Sequence, residues 1–128
     1  MNSRLDTIQA AILLEKLAEF PIELEKRNLV AQHYHNELNG KYKTPIVPED
    51  YYSSWAQYTL VSEHREEHMA KFKQRGIPTM VYYRTCMHQQ TAFQYLGYKP
   101  GDFPVAERLA DRVFSLPMHP YLESSLKE

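Results

Sequence analysis

A glycine, a proline and a run of β-branched and aromatic residues meet in Gly76-Ile-Pro-Thr-Met-Val-Tyr-Tyr-Arg-Thr-Cys-Met-His88, and together they leave this part of the chain little conformational choice. Gly76 closes the charged helical run before it, and Pro78 prevents that helix from resuming. Thr79 to Tyr83 then reads as a strand. A cation, a thiol, a thioether and an imidazole follow between Arg84 and His88. A strand that delivers such side chains to its own end is a common way to build a site. The preceding chain reads as scaffold and the following chain as packing around it.

The scaffold begins with helix. Leu5 to Phe20 carries a broad apolar stripe at the helical period, filled with good helix formers. Pro21 marks a kink or a new first turn, and Glu23 to Leu38 reads as a second helix with Leu24, Val30, Ala31, Tyr34 and Leu38 inward, closed by Asn39-Gly40. The stripe of the first helix is wider than one small domain needs, so part of it is expected to pack against other chain or another subunit. Lys41 to Ser54 is a connection broken by prolines. Trp55 to Ser62 alternates as a strand, and Glu63 to Arg75 is a charged helix burying Met69 and Phe72. Strand, helix and strand with a glycine stop make an α/β unit, although whether its two strands pair directly is open. Gln89 to Leu96 reads as a short helix ending at Gly97, Asp102 as the N-cap of a helix to Val113, and Phe114 to Leu122 as an edge strand or a loop crossing a site.

Composition removes several functions. The 128 residues fit one domain with a modest core. Fifteen basic against sixteen acidic side chains make no electrostatic case for nucleic acid or an anionic membrane. No apolar run approaches the ~20 residues of a spanning helix, and the start does not read as a signal peptide. The single cysteine, Cys86, suits a reducing cytoplasm. Both ends read as cut, so the chain is expected to be a piece of a larger protein.

Three stretches together carry a resemblance. Asn2-Ser-Arg-Leu-Asp-Thr-Ile-Gln-Ala-Ala-Ile-Leu13, then Gly76-Ile-Pro-Thr-Met-Val-Tyr-Tyr83 followed by His88-Gln89, then Tyr95-Leu-Gly-Tyr98 with Asp102-Phe-Pro-Val-Ala-Glu107 and Ser115-Leu-Pro-Met-His-Pro-Tyr121, resemble the C-terminal part of the sugar aminotransferases of the DegT/DnrJ/EryC1/StrS type. The resemblance implies an α/β fold: the small domain of the type I aspartate-aminotransferase fold, with long N-terminal helices and a small, mostly antiparallel sheet covered by helices. Residues 1–128 would form that domain, with 1–40 linking to the large domain and dimer interface and 55–122 making the α/β part. It implies a pyridoxal-phosphate enzyme, a cytoplasmic homodimer, that moves an amino group from a donor such as glutamate to a keto sugar linked to a nucleotide. The lysine that holds the cofactor would lie in the large domain, so this piece alone is expected not to transaminate. A dehydratase relative that differs at that lysine stays open, as does a free-standing α/β module binding a small anion.

The resemblance also implies site residues. Asn2 and Arg4, otherwise a solvated helix start, would reach across the dimer toward the partner's cofactor phosphate, where an amide and a guanidinium can both donate. Tyr82 and Tyr83 would line the sugar-nucleotide pocket; as neighbours on a strand they alternate faces, one toward the core and one toward the site. His88 would bond a sugar hydroxyl or a neighbouring subunit, or else be a polar loop residue. Arg84-Thr-Cys-Met87 departs from the family's usual Pro-Ile-Pro-Leu and adds a cation that either meets a uronate carboxylate or pyrophosphate or sits on the surface. Cys86 with His88 lacks an orienting acid for nucleophilic work. His64 and His68 have the spacing of a helical metal pair but stand among charges that suit a solvated face. His33 and His35 cannot share a helix face, and His119 reads as structural.

Overall fold

The computed structural model describes residues 4–122. Asp6 caps α1 (Thr7–Leu38): its side chain accepts from the Gln9 amide at 2.8 Å while the Gln9 side chain accepts from the Asp6 amide, a reciprocal capping box. No new first turn begins at Pro21, and one helix of 32 residues runs through it. Proline removes a single backbone donor, and helix formers on both sides keep the remaining ladder intact. Beyond Leu38 the chain turns at Gly40, whose φ of +85° lies where a side chain would be strained.

The sheet is small and antiparallel. β1 (Tyr58–Val61) pairs with β2 (Val113–Leu116) in the register Tyr58 to Leu116 and Val61 to Val113. Single bridges extend it on both sides, Lys43 to Val61 beyond β1 and Met80 to Ser115 beyond β2. The spatial order is therefore Lys43, β1, β2, Met80. This answers whether the two strands of the sequence unit pair: they do not, because β2 lies between them. The expected strand at Thr79–Tyr83 shrinks to the bridge at Met80, and the one expected from Trp55 begins only at Tyr58. Trp55 sits at φ +48°, which takes the backbone out of the strand.

α2 (Arg65–Gln74) packs on this sheet through Met69 and Phe72, α3 (Pro104–Arg112) runs directly into β2, and the short helix expected over Gln89–Leu96 is a 3₁₀ helix, Thr91–Leu96, preceded by a 3₁₀ turn at Met87–Gln89. Gly97, at φ +76°, closes that 3₁₀ helix as anticipated. α3 begins one residue later than expected. Phe103 holds the cap position, and Asp102 instead accepts from the Lys99 amide at 2.8 Å, closing the turn before it.

The core is Ala31, Tyr58, Leu60, Val81, Phe114 and Leu116, with Tyr34, Leu38, Tyr42, Met69 and Phe72 packed against it. α1 joins this core only in its C-terminal half, where Val30 and Ala31 are buried. In its N-terminal half Ile8, Ile12, Leu14 and Leu17 are each more than half exposed. The wide stripe read from the sequence is thus bare in this chain. Among the described residues no helix is long and apolar enough to cross a membrane.

Candidate functional site

Tyr82 and Tyr83 leave the sheet immediately after Met80 and Val81. The alternation expected of them fails, because neither belongs to a strand and neither enters the core. Their peptide bond is cis and their rings meet edge to face at 6.0 Å, Tyr82 44% and Tyr83 74% exposed. Each lines a cavity of its own. Tyr82 lines one of about 270 Å³ with Ala56 and Gln57 before β1, Pro117 and Met118 after β2, and Pro78 and Met80. Tyr83 borders an open hollow of about 510 Å³ with Arg84, Thr85, Gln89, Gln90 and Thr91. Small-molecule sites run about 300–1,000 Å³, so each is on the scale of a sugar or of one part of a larger ligand.

α1 holds both chain segments that line the Tyr82 cavity beside the sheet. Arg27 Nη1 donates to the Trp55 carbonyl at 3.1 Å and to the Met118 carbonyl at 3.5 Å, tying the loop before β1 to the segment after β2. Tyr34 adds a hydrogen bond from its hydroxyl to the Pro117 carbonyl at 3.0 Å. Trp55 donates through Nε1 to Asn28 Oδ1 at 2.9 Å, and Asn28 Nδ2 donates in turn to the Tyr52 hydroxyl at 2.8 Å. Sequence reading assigned no role to Arg27 or Asn28. The available signal was polarity on the inward side of a helix, at positions next to apolar Leu24, Val30 and Ala31.

His88 belongs to a knot behind the tyrosines. Its side chain is 7% exposed, its Nε2 lies 3.0 Å from Glu107 Oε1, and its ring packs 4.8 Å from that of Phe103. Glu107 also accepts from the Gly101 amide at 2.9 Å and the Phe103 amide at 3.3 Å. One carboxylate in the first turn of α3 thus gathers the loop after Tyr98 and the turn after Tyr83. The Gly101 amide is the main reason the Glu107 carboxyl sits below the usual carboxylate range, with smaller help from Phe103 and His88, while partial burial works the other way.

A lowered pKa stabilises the fold above the ordinary carboxylate pKa. That contribution is lost as pH falls through the lowered value. In an acid titration followed by NMR, the Gly101 and Phe103 amide shifts should move with a single midpoint below the usual carboxylate range. Glu107→Gln should abolish that step. A midpoint at or above the usual value would contradict the assignment.

The other candidates separate by geometry. Arg84 pairs with Glu66 of α2 at 2.9 Å, and the Glu66 carboxyl is held low first by Arg84 and then by Arg65. His68 Nδ1 lies 2.7 Å from Ser62 Oγ, and its ring centre is 6.4 Å from that of His64. Among the described residues no group of three or more His, Cys, Asp and Glu gathers to hold a metal. Cys86 is a free, half-buried thiol just before the first 3₁₀ turn. Arg4 is exposed two residues before the α1 cap, and Asn2 lies outside the described residues.

Comparison with known proteins gives these features a context. The model of the DegT/DnrJ/EryC1/StrS aminotransferase family matches residues 1–126. The UDP-2-acetamido-2-deoxy-3-oxo-D-glucuronate aminotransferase of Pseudomonas aeruginosa is 40% identical over 98% of this chain and 34% of its own length. A dTDP-3-amino-3,4,6-trideoxy-alpha-D-glucose transaminase of Micromonospora megalomicea is 33% identical over 99% of this chain and 36% of its own. Among solved structures, a DegT DnrJ EryC1 StrS aminotransferase from Brucella abortus superposes with a TM-score of 0.88 at 46% identity, over 98% of this chain and 34% of that one. S. venezuelae DesV superposes with a TM-score of 0.91 at 33% identity, over the same shares. The chain spans about a third of the length of these relatives.

Proposed function

Because this chain belongs to the DegT/DnrJ/EryC1/StrS aminotransferase family, we propose that it is the C-terminal small domain of an enzyme that transfers an amino group to a nucleotide-linked keto sugar. Its structural neighbours are aminotransferases of fold type I. The observation that carries the proposal is the match along nearly the whole chain, from the helix start to the segment past β2. Relatives are named both for a sugar acid and for deoxy sugars, so the family does not choose between those substrates. Amino-sugar synthesis for a polysaccharide or a glycosylated metabolite is the role that fits. The cytoplasm is the compartment that fits.

Within the parent, this chain's part is to close the sugar side of the pocket. Tyr82 and Tyr83 present rigid rings and phenol hydroxyls at the mouths of two cavities, surfaces suited to an amphipathic sugar. His88 serves the same pocket from behind, its imidazole on Glu107 and the turn it anchors bordering the Tyr83 hollow.

Members of this family are typically pyridoxal-phosphate dependent, and the cofactor when bound supplies the electron sink that lets an amino group change carriers. Donors present in the chain fit its phosphate. Arg4 is an exposed guanidinium beside a helix start, able to grip a phosphate through two parallel hydrogen bonds. We assign Asn2 as its amide companion. Both would serve the site of a partner subunit, which makes the homodimer part of the working enzyme, with glutamate as amino donor.

The test is an absorbance spectrum of the protein made from the full reading frame that carries this chain, with pyridoxal phosphate added. The expected result is a borohydride-reducible band that is lost on adding glutamate. No such band from an intact parent would remove the aminotransferase reading.

A further inference from the structure

We propose that the hollow beside Tyr83 is a carboxylate subsite, and that Arg84 there grips the acid group of a nucleotide-linked sugar acid by leaving Glu66. The inference rests on the nucleotide-sugar reading above and narrows it to substrates that carry a carboxylate. Arg84 is the one charged residue lining the hollow among the described residues; a tyrosine, two threonines and two glutamines, all suited to hydroxyl groups, make up the rest. A cation ringed by uncharged donors and acceptors is a setting for a single carboxylate on a polyol.

The present partner of Arg84 is an exchangeable one. Glu66 accepts Arg84 and Arg65 on the same oxygen, Oε1, at 2.9 and 3.1 Å. Arg65 is the fixed member: its side chain is 11% exposed and it also donates to the Ala110 carbonyl. Arg84 is the loose one, with 57% of its side chain exposed. Exposed pairs of this kind are worth roughly 0–1 kcal/mol. When Arg84 turns to a ligand, Glu66 keeps Arg65 and no carboxylate is left alone. The three groups together carry one positive charge in excess, which favours an incoming anion.

Titration calorimetry on the full parent with UDP-glucuronate, UDP-glucose and UDP tests this, since none of the three needs to react. The wild type should bind UDP-glucuronate about tenfold more tightly than UDP-glucose, the scale of one charge-assisted pair. Arg84→Gln should bring that ratio to about one and leave UDP unchanged. Equal binding of the two sugars by the wild type would overturn the carboxylate subsite while sparing the nucleotide-sugar reading. If Arg84→Gln weakens UDP as much as UDP-glucuronate, the guanidinium serves the pyrophosphate and the proposal fails. If none of the three binds, the subsite proposal fails, while binding of dTDP under the same conditions would keep the nucleotide-sugar reading.

Discussion

Phe114→Ala should remove about 3–5 kcal/mol of stability, the range for deleting a fully buried aromatic ring. Phe114 has no exposed surface and lies on β2, the central segment of the sheet. Its ring meets Tyr42 edge to face at 6.0 Å and Phe72 of α2 at 5.9 Å, so one side chain joins the sheet to the first connection and to a helix. The aromatic pairs add roughly 0.5–1.5 kcal/mol to the burial itself. Native domains have only about 5–15 kcal/mol in hand, so the loss is a large share of the whole. In urea denaturation the midpoint should fall with the slope unchanged, and Phe114→Leu should recover most of it by refilling the volume. A loss below about 1 kcal/mol for the alanine variant would mean that the neighbouring rings collapse into the space, and that Phe114 is not the centre of this core.

Arg27→Ala should cost about 1.5–3 kcal/mol, the range for losing a hydrogen bond to a charged group, and should also loosen the Tyr82 cavity. The guanidinium reaches two carbonyls on separate segments that line that cavity, at Trp55 next to Ala56 and at Met118. Hydrogen exchange should rise at residues 55–57 and at Leu116 and Met118, and leave α2 unchanged. In the parent enzyme the KM for the nucleotide sugar should rise several-fold with a smaller change in kcat, as expected when binding geometry is blurred and the reacting groups are untouched. Arg27→Lys should recover only part of the effect, because an ammonium lacks the spread of the planar fork. Unaltered exchange at both segments would show that Tyr34 and Trp55 hold the cavity without Arg27.

Local rules decided a definite part of this molecule in advance. The helix stop at Gly76, the end of the second 3₁₀ turn at Gly97, the inward face of Val30 and Ala31, and the surplus apolar stripe before them all follow from nearest-neighbour chemistry. The order of motifs along the chain identified the family and pointed to Tyr82 and Tyr83, whose rings stand at two cavities. Tertiary structure decided the rest. Pro21 reads as a boundary because its missing donor is a local fact, while the ladder on either side that carries α1 past it is cooperative. Thr79–Tyr83 has strand propensity, yet a strand needs a partner. β2 offers Met80 a single bridge at Ser115, and the chain then turns away. Glu107 gathers Gly101, Phe103 and His88, and Arg27 gathers residues 55 and 118. Those links join positions up to 91 residues apart. Sequence by itself determined which residue types were available and where regular structure could start and stop. Only the folded chain could decide which polar groups meet, because hydrogen bonds between distant segments depend on a packing that no local pattern encodes.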